Sequence, residues 1–359
     1  MINVTKTYLP KKEKYIKYID KIFENNWLTN NGPLLCELQE RLKKYLNVEN
    51  LLLVSNGTLA IQIAARVMGL SGKVITTPFS FVATTSALVW EGIEPVYADI
   101  DKETLCMNPT EIEKKITPDC TGIVPVHVYG NCCDVEEIDR IAKENNLKVI
   151  YDAAHAFDVN YKNGNILNWG DASTISFHST KLFHTIEGGA IVFKNKEDYE
   201  KAKLLINFGI NGPDSIVELG INCKMNEFQA AMGLCVLDDI EQIKDKREEL
   251  VNLYEDKLGG FSELKFVKYN SNGSRNYSYF PIIFNSERIL LNVINALKEE
   301  DINPRRYFYP SLDTLTYLEK SDYMPNSNNI SKRILCLPLY ASMTLDEVTR
   351  ICSIIEGAI

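Results

Sequence analysis

Lys181 is the residue of this chain best suited to covalent chemistry. It stands in Ser176-Phe177-His178-Ser179-Thr180-Lys181-Leu182-Phe183-His184-Thr185-Ile186-Glu187-Gly188-Gly189, with no acid between the lysine and Glu187. An amine attacks a carbonyl only as the free base, so near neutral pH it needs partial burial or a positive neighbour. The apolar, aromatic and small residues around Lys181 suit burial, and the two glycines let backbone approach closely. The chemistry that fits is a Schiff base. On its own, a lysine between two strands is an ordinary solvated charge, so the reading depends on what else the chain brings near it.

Four further features could complete such a site. Asp152 ends an apolar strand and is followed by Ala153-Ala154-His155; a carboxylate here could keep a pyridine nitrogen protonated, though it could equally cap a helix. Ser55-Asn56-Gly57-Thr58 opens a helix after a strand, which gathers unpaired N–H groups and the positive helix end at one point. Ser, Asn and Thr are also ordinary caps, so this turn is weak evidence by itself. With the Ser176 hydroxyl, Gly57 and Thr58 could cradle a phosphate. Phe81 could lie on a flat ring, although an aromatic after a strand is more often core. His155 could donate to a ring oxygen, or be a satisfied interior histidine. Together these are the requirements of pyridoxal phosphate: a lysine, an acid for the ring nitrogen, an anion cradle and a flat group. His127, His178 and His184 lack metal-ligand spacing and are read as supporting residues.

The elements that must position these residues follow from periodicity. Strands are expected at Leu51 to Val54, Val74 to Thr77, Pro95 to Ile100, Gly122 to Val128, Lys148 to Tyr151, Ser173 to Phe177 and Ala190 to Phe193. Helices are expected over 11–24, 34–45, Thr58 to Met68, the run through Trp90, 134–145 and Phe228 to Leu237. This alternation predicts an α/β domain with a mixed, mostly parallel sheet, and in such sheets ligands bind at the carboxyl ends of strands. The Gly57 turn, the Phe81 turn, Asp152 and Lys181 all fall there. The charged stretch Asp238 to Glu255 reads as a solvated helix joining two domains. Beyond it, a strand at Tyr277 to Phe284 and helices near 287–299 and 344–356 predict a smaller α+β domain. The expected division is 1–238 and 239–359.

Composition removes several classes of function. The 359 residues are 45% hydrophobic and 24% charged, with a formal net charge of -9, which disfavours nonspecific binding to nucleic acid or anionic membranes. Nine scattered cysteines without paired CxxC spacing suggest free thiols and no metal. Met1 to Tyr8 has no apolar core and no apolar run nears membrane-spanning length, so a cytoplasmic protein is expected.

The stretches SNGT, TTPFSFVATTSAL, VPVHVYGNCCDV, YDAAHAF, SFHSTKLFHTIEGGA and GINCKMNEFQAAMGL run through most of the chain. In them the chain resembles the nucleotide-sugar aminotransferases of the DegT/StrS type. That resemblance implies the aspartate-aminotransferase-like fold (fold type I), with pyridoxal 5'-phosphate as cofactor. It implies that Lys181 forms the Schiff base, that Asp152 pairs with the ring nitrogen and that His155 contacts the ring oxygen. It further implies that Gly57, Thr58 and Ser176 bind the phosphate and that Phe81 stacks on the ring. Asn222 matches an asparagine that reaches the phosphate from a neighbouring subunit, which implies a homodimer with shared active sites; Lys224 stands where many relatives carry arginine. NNWLTNNGP, HTIEGG and RRYFYPSL are similar to enzymes that aminate carbon 4 of dTDP-4-keto-6-deoxy-D-glucose, with L-glutamate as the expected donor. Arg305, Arg306, Tyr307 and Tyr309 are candidates for holding the sugar diphosphate, since arginine forks suit phosphate oxygens; a basic and aromatic loop is as often plain surface. The competing readings are amination at carbon 3 or of a UDP- or GDP-sugar, the dehydratase branch that has histidine in place of the lysine, and a sugar-binding regulatory protein without catalysis.

Overall fold

The computed structural model describes residues 1–318 and 322–359. Its centre is a sheet in which seven strands are found among the described residues. Their order is Asn50–Val54, Gly189–Phe193, Ala172–Ser176, Lys148–Asp152, Cys120–Val124, Lys73–Thr76, Glu94–Tyr97. Gly189–Phe193 is antiparallel to both its neighbours, while the other pairings are parallel. The mixed, mostly parallel sheet is therefore as expected. Its topology also fixes the position of Lys181: the chain leaves at Ser176 and re-enters antiparallel at Gly189, opposite Ser176 itself. Everything between is held at the carboxyl edge of the sheet, where Val54, Thr76, Val124 and Asp152 also end.

Apolar patterning explains the layers. The strands bury nearly every side chain, as expected for strands covered on both faces. Gly57–Met68 packs on one face with Ala60, Ile63, Ala64 and Val67, together with Ala202 and Leu205. Leu34, Leu38, Leu42 and Leu46, spaced four apart along Pro33–Leu46, join the core on the other. That helix begins against Glu227, whose buried carboxylate accepts the N–H groups of Leu34 and Leu35 at 2.8 and 2.9 Å. Losing such an acceptor leaves buried donors unpaired, at about 1–3 kcal/mol each.

A second sheet is antiparallel, in the order Leu264–Phe266, Phe280–Phe284, Ile334–Leu337. It shares an apolar cluster with the helices Ile240–Leu258, Glu287–Glu299 and Leu345–Ala358. Ile2–Asn3 pairs with Ile302–Asn303, so the start of the chain lies beside this C-terminal unit.

Three local expectations are corrected. The strand expected over Gly122 to Val128 is Cys120–Val124: Pro125 has no N–H to give a ladder, and Val128–Gly130 forms a tight turn in which Tyr129 has a φ of 56°. The helix Ile240–Leu258 is charged but not solvated all round, because Ile243, Arg247, Leu250, Val251, Tyr254 and Leu258 are buried along one side. The strand expected from Tyr277 begins at Phe280, with Tyr277 at a φ of 54°, so Tyr277 to Tyr279 are free of the ladder. Asp99 is buried and accepts the N–H groups of Asn326 and Ser327.

Candidate active site

A cavity of about 280 Å³ opens at the carboxyl edge of the central sheet. It is lined by Gly57, Thr58, Phe81, Asp152, His155 and Ser176, and also by Lys181, Arg305 and Tyr307. Residues more than a hundred positions apart thus meet in one place because each sits at the end of a different strand or in the loop that follows it.

Asp152 is the last residue of its strand, held there by backbone bonds from its N–H to Pro125 O and from His127 N–H to its own carbonyl. Its carboxylate accepts Thr84 Oγ1–H at 2.7 Å and the Ala154 N–H at 3.0 Å. Burial pushes its pKa up, while Thr84, Ala154 and the positive charge of Lys181 pull it down. A buried carboxylate with one donor on each oxygen still has lone pairs free, and one that lines the cavity can take a further cationic or protonated partner from it.

Lys181 lines the cavity. Burial lowers its pKa to about 8, against the opposing influence of Asp152 and Tyr307. At neutral pH a useful fraction of the amine is therefore the free base, which is what the apolar flanks in the sequence led one to expect. Its Nζ lies 3.3 Å from the Tyr279 hydroxyl.

His155 is buried, and its Nδ1 accepts the Tyr129 N–H at 3.2 Å. Burial, then the charge of Lys181, keeps the ring neutral by lowering its pKa well below the usual value. With Nδ1 accepting, the neutral ring carries its proton on Nε2, so it can act as a donor.

The anion cradle is equally specific. Asn56 caps Gly57–Met68 by accepting the Leu59 N–H at 2.8 Å, while the N–H groups of Gly57 and Thr58, in the first turn, have no intrahelical carbonyl to reach. Gly57 stands so close to Ser176 that a Cβ there would lie 2.8 Å from the serine Cβ. Glycine is what allows the helix end and the Ser176 hydroxyl to converge. We predict that Gly57→Ala weakens cofactor binding by about tenfold or more, measured by titrating cofactor-free protein; wild-type affinity would remove the cradle role.

The remaining expected residues are spread more widely. Phe81 lies at the cavity wall and is half exposed. Asn222 is exposed and outside the lining, with an isolated backbone bridge to Asn207. The four candidates of the basic loop are divided. Arg305 stacks over Tyr307 at 4.5 Å and both face the cavity. Arg306 does not line it: its guanidinium bonds Glu287 at 2.9 Å and the carbonyls of Ser331 and Lys332, with the Tyr309 ring against it at 3.7 Å. Sequence reasoning missed Tyr279, Thr84 and the pair His178 and Glu187, whose Nε2 and Oε1 lie 3.6 Å apart beside the cavity. The paired threonines in an otherwise apolar helix were the only signal for Thr84. His127 and His184 are supporting residues, bonded to Cys133 N–H and to the Tyr8 carbonyl. No group of potential metal ligands is found among the described residues, and no described helix is long and apolar enough to cross a membrane.

The residues present fit pyridoxal phosphate. The cavity lining brings together the lysine, a buried acid, a helix end with a hydroxyl where a Cβ has no room, and His155 as a donor. Comparison with known proteins agrees. The DegT/DnrJ/EryC1/StrS aminotransferase family model matches residues 10–356. The chain is 43% identical to a dTDP-4-amino-4,6-dideoxy-D-glucose transaminase of Shigella dysenteriae over 99% of this chain and 98% of that one. It is 37% identical to an enzyme of the same name from Escherichia coli, with the same coverage. The crystal structure of DesI in the presence of its TDP-sugar product superimposes with a TM-score of 0.94, at 28% identity, over 99% of this chain and 92% of that one. By its cavity, its lysine and these relatives, the chain belongs to the DegT/DnrJ/EryC1/StrS aminotransferase family, whose aminotransferases depend on pyridoxal phosphate.

Proposed function

We propose that the protein transfers the amino group of L-glutamate to dTDP-4-keto-6-deoxy-D-glucose, giving dTDP-4-amino-4,6-dideoxy-D-glucose and 2-oxoglutarate. The observation that carries the chemistry is the joint presence of a cavity-facing amine near its titration point and a buried carboxylate. The reading of the sugar rests on the names of the two curated relatives, both of which specify a carbon-4 amine on a dTDP-sugar.

Bound in this cavity, pyridoxal phosphate supplies an electron sink for the carbon that loses its proton. Asp152 would keep a proton on the ring nitrogen, with Thr84 and Ala154 orienting the carboxylate. Gly57, Thr58 and Ser176 would bind the phosphate, His155 would donate to the ring oxygen, and Phe81 would pack against the ring. Lys181 Nζ would hold the cofactor and, as the free amine, would be the base for the proton on the donor's α-carbon. With the keto sugar bound, the same amine would deliver a proton to carbon 4 of the sugar. Arg305, backed by Tyr307, is the cation offered to the sugar diphosphate.

A homodimer is part of this reading. Exposed apolar side chains at Phe208, Ile216, Val217, Leu219 and Ile221 precede Asn222, and such a patch on a soluble chain favours a partner surface. Asn222 would then serve the neighbouring site. The reading keeps the division at 238/239 and a cytoplasmic location.

The test is a panel of keto sugars given with L-glutamate. The dTDP-4-keto sugar should exceed its 3-keto isomer and the UDP- and GDP-4-keto sugars in kcat/KM by about tenfold or more. Preference for any of the others would replace the proposed substrate.

A further inference from the structure

We propose that Tyr279 is the positioning residue for the Lys181 amine, and that Arg247 holds Tyr279 in that role from the C-terminal half of the chain. The proposal rests on Lys181 being the cofactor-binding lysine, and not on the identity of the sugar or of the amino donor.

The Tyr279 hydroxyl accepts from Lys181 Nζ at 3.3 Å, and the amine sits 5.8 Å from the Tyr279 ring centroid. The ring is fixed by neighbours on several sides: His155 at 4.7 Å, Tyr129 at 5.7 Å and Tyr307 at 5.8 Å between centroids. An amine on a four-carbon stem has many rotamers, so one fixed acceptor narrows where it can point.

Two independent clamps hold the segment that carries Tyr279. Asn276 Nδ2 donates to the carbonyls of His155 and Phe157 at 2.9 and 2.8 Å, tying the segment to the loop that follows Asp152. Arg247 Nη1 donates to the carbonyls of Tyr277 and Ser278 at 3.3 and 3.2 Å. Arg247 is buried in its helix, its Nε has no partner among the described residues, and burial lowers its pKa to about 10. A buried guanidinium spent on two carbonyls is costly for a mere turn contact. The backbone it holds includes Tyr277 in the left-handed region, at a φ of 54°, where a bulky residue is strained. Both features are explained if the position of Tyr279 matters.

The test is the pH profile for capture of pyridoxal phosphate by cofactor-free full-length protein, followed as the appearance of the visible band. Capture needs the neutral amine, so the wild-type rate should rise with pH around the Lys181 pKa of about 8. In Tyr279→Phe the ammonium loses an acceptor, so the midpoint should fall by about 0.5–1 unit. Arg247→Lys keeps the charge on a shorter stem with a differently shaped head, which holds the two carbonyls less well, and should shift the midpoint the same way by less. A Tyr279→Phe profile that overlays the wild type overturns the proposal, and a wild-type profile in Arg247→Lys overturns the part played by the arginine. Failure of the keto-sugar panel would leave this profile untouched, so the two readings fail separately.

Discussion

Lys181→Ala should lower amine transfer to below about one part in a thousand of the wild-type rate, while leaving the protein folded. The methyl group cannot hold the cofactor covalently or move a proton, and among the described residues no other lysine lines the cavity. Folding should survive because the amine stabilises little: it is a desolvated cation whose pKa burial has already lowered. Thermal melting by circular dichroism, with turnover measured on the same sample, checks both halves. The variant also makes a test of sign. Lys181 is one of the influences that lower the Asp152 pKa, so without it the carboxyl group should titrate at higher pH than in the wild type. Turnover within tenfold of the wild type in Lys181→Ala would remove the amine from the chemistry.

Asp152→Asn should cost about a hundredfold to a thousandfold in kcat with little loss of bound cofactor. The amide fits the existing bonds: its oxygen can accept from the Ala154 N–H, and its nitrogen can donate to Thr84 Oγ1, which in turn bonds Ser80. Packing is thus preserved and only the negative charge is lost. Without that charge nothing holds a proton on the ring nitrogen, and the electron sink fails while binding persists. Cofactor content from the absorption spectrum, set beside kcat, separates the two effects. Equal losses in both would show that Asp152 serves binding alone.

What could be read from the sequence was whatever is written locally. The alternating run before Ser176, the apolar run after Gly189 and the polar stretch between them are consecutive, so the strand, loop and strand around Lys181 were legible. The same holds for the cap at Asn56 and for Asp152 at the end of an apolar strand. The antiparallel return of Gly189–Phe193 between Asn50–Val54 and Ala172–Ser176 was not legible, because strand order depends on pairing between distant segments. Arg247 was hidden in a run of charges where the buried side of the helix is carried by five aliphatic residues, a tyrosine and the arginine itself. Tyr279 read as one more side chain of a strand, since the φ of Tyr277 that ends the ladder early leaves no mark in composition. Arg306 and Arg305 are adjacent and chemically alike; only the carboxylate of Glu287 distinguishes the one held away from the cavity.

The account is tested most directly by following the visible absorption band of the cofactor-loaded protein through one cycle. Addition of L-glutamate should bleach the band with release of 2-oxoglutarate, and addition of dTDP-4-keto-6-deoxy-D-glucose should restore it with one amino sugar formed for each 2-oxoglutarate. A band that forms on Lys181 but does not respond to glutamate, or that bleaches and is not restored by the keto sugar, would contradict the proposed reaction.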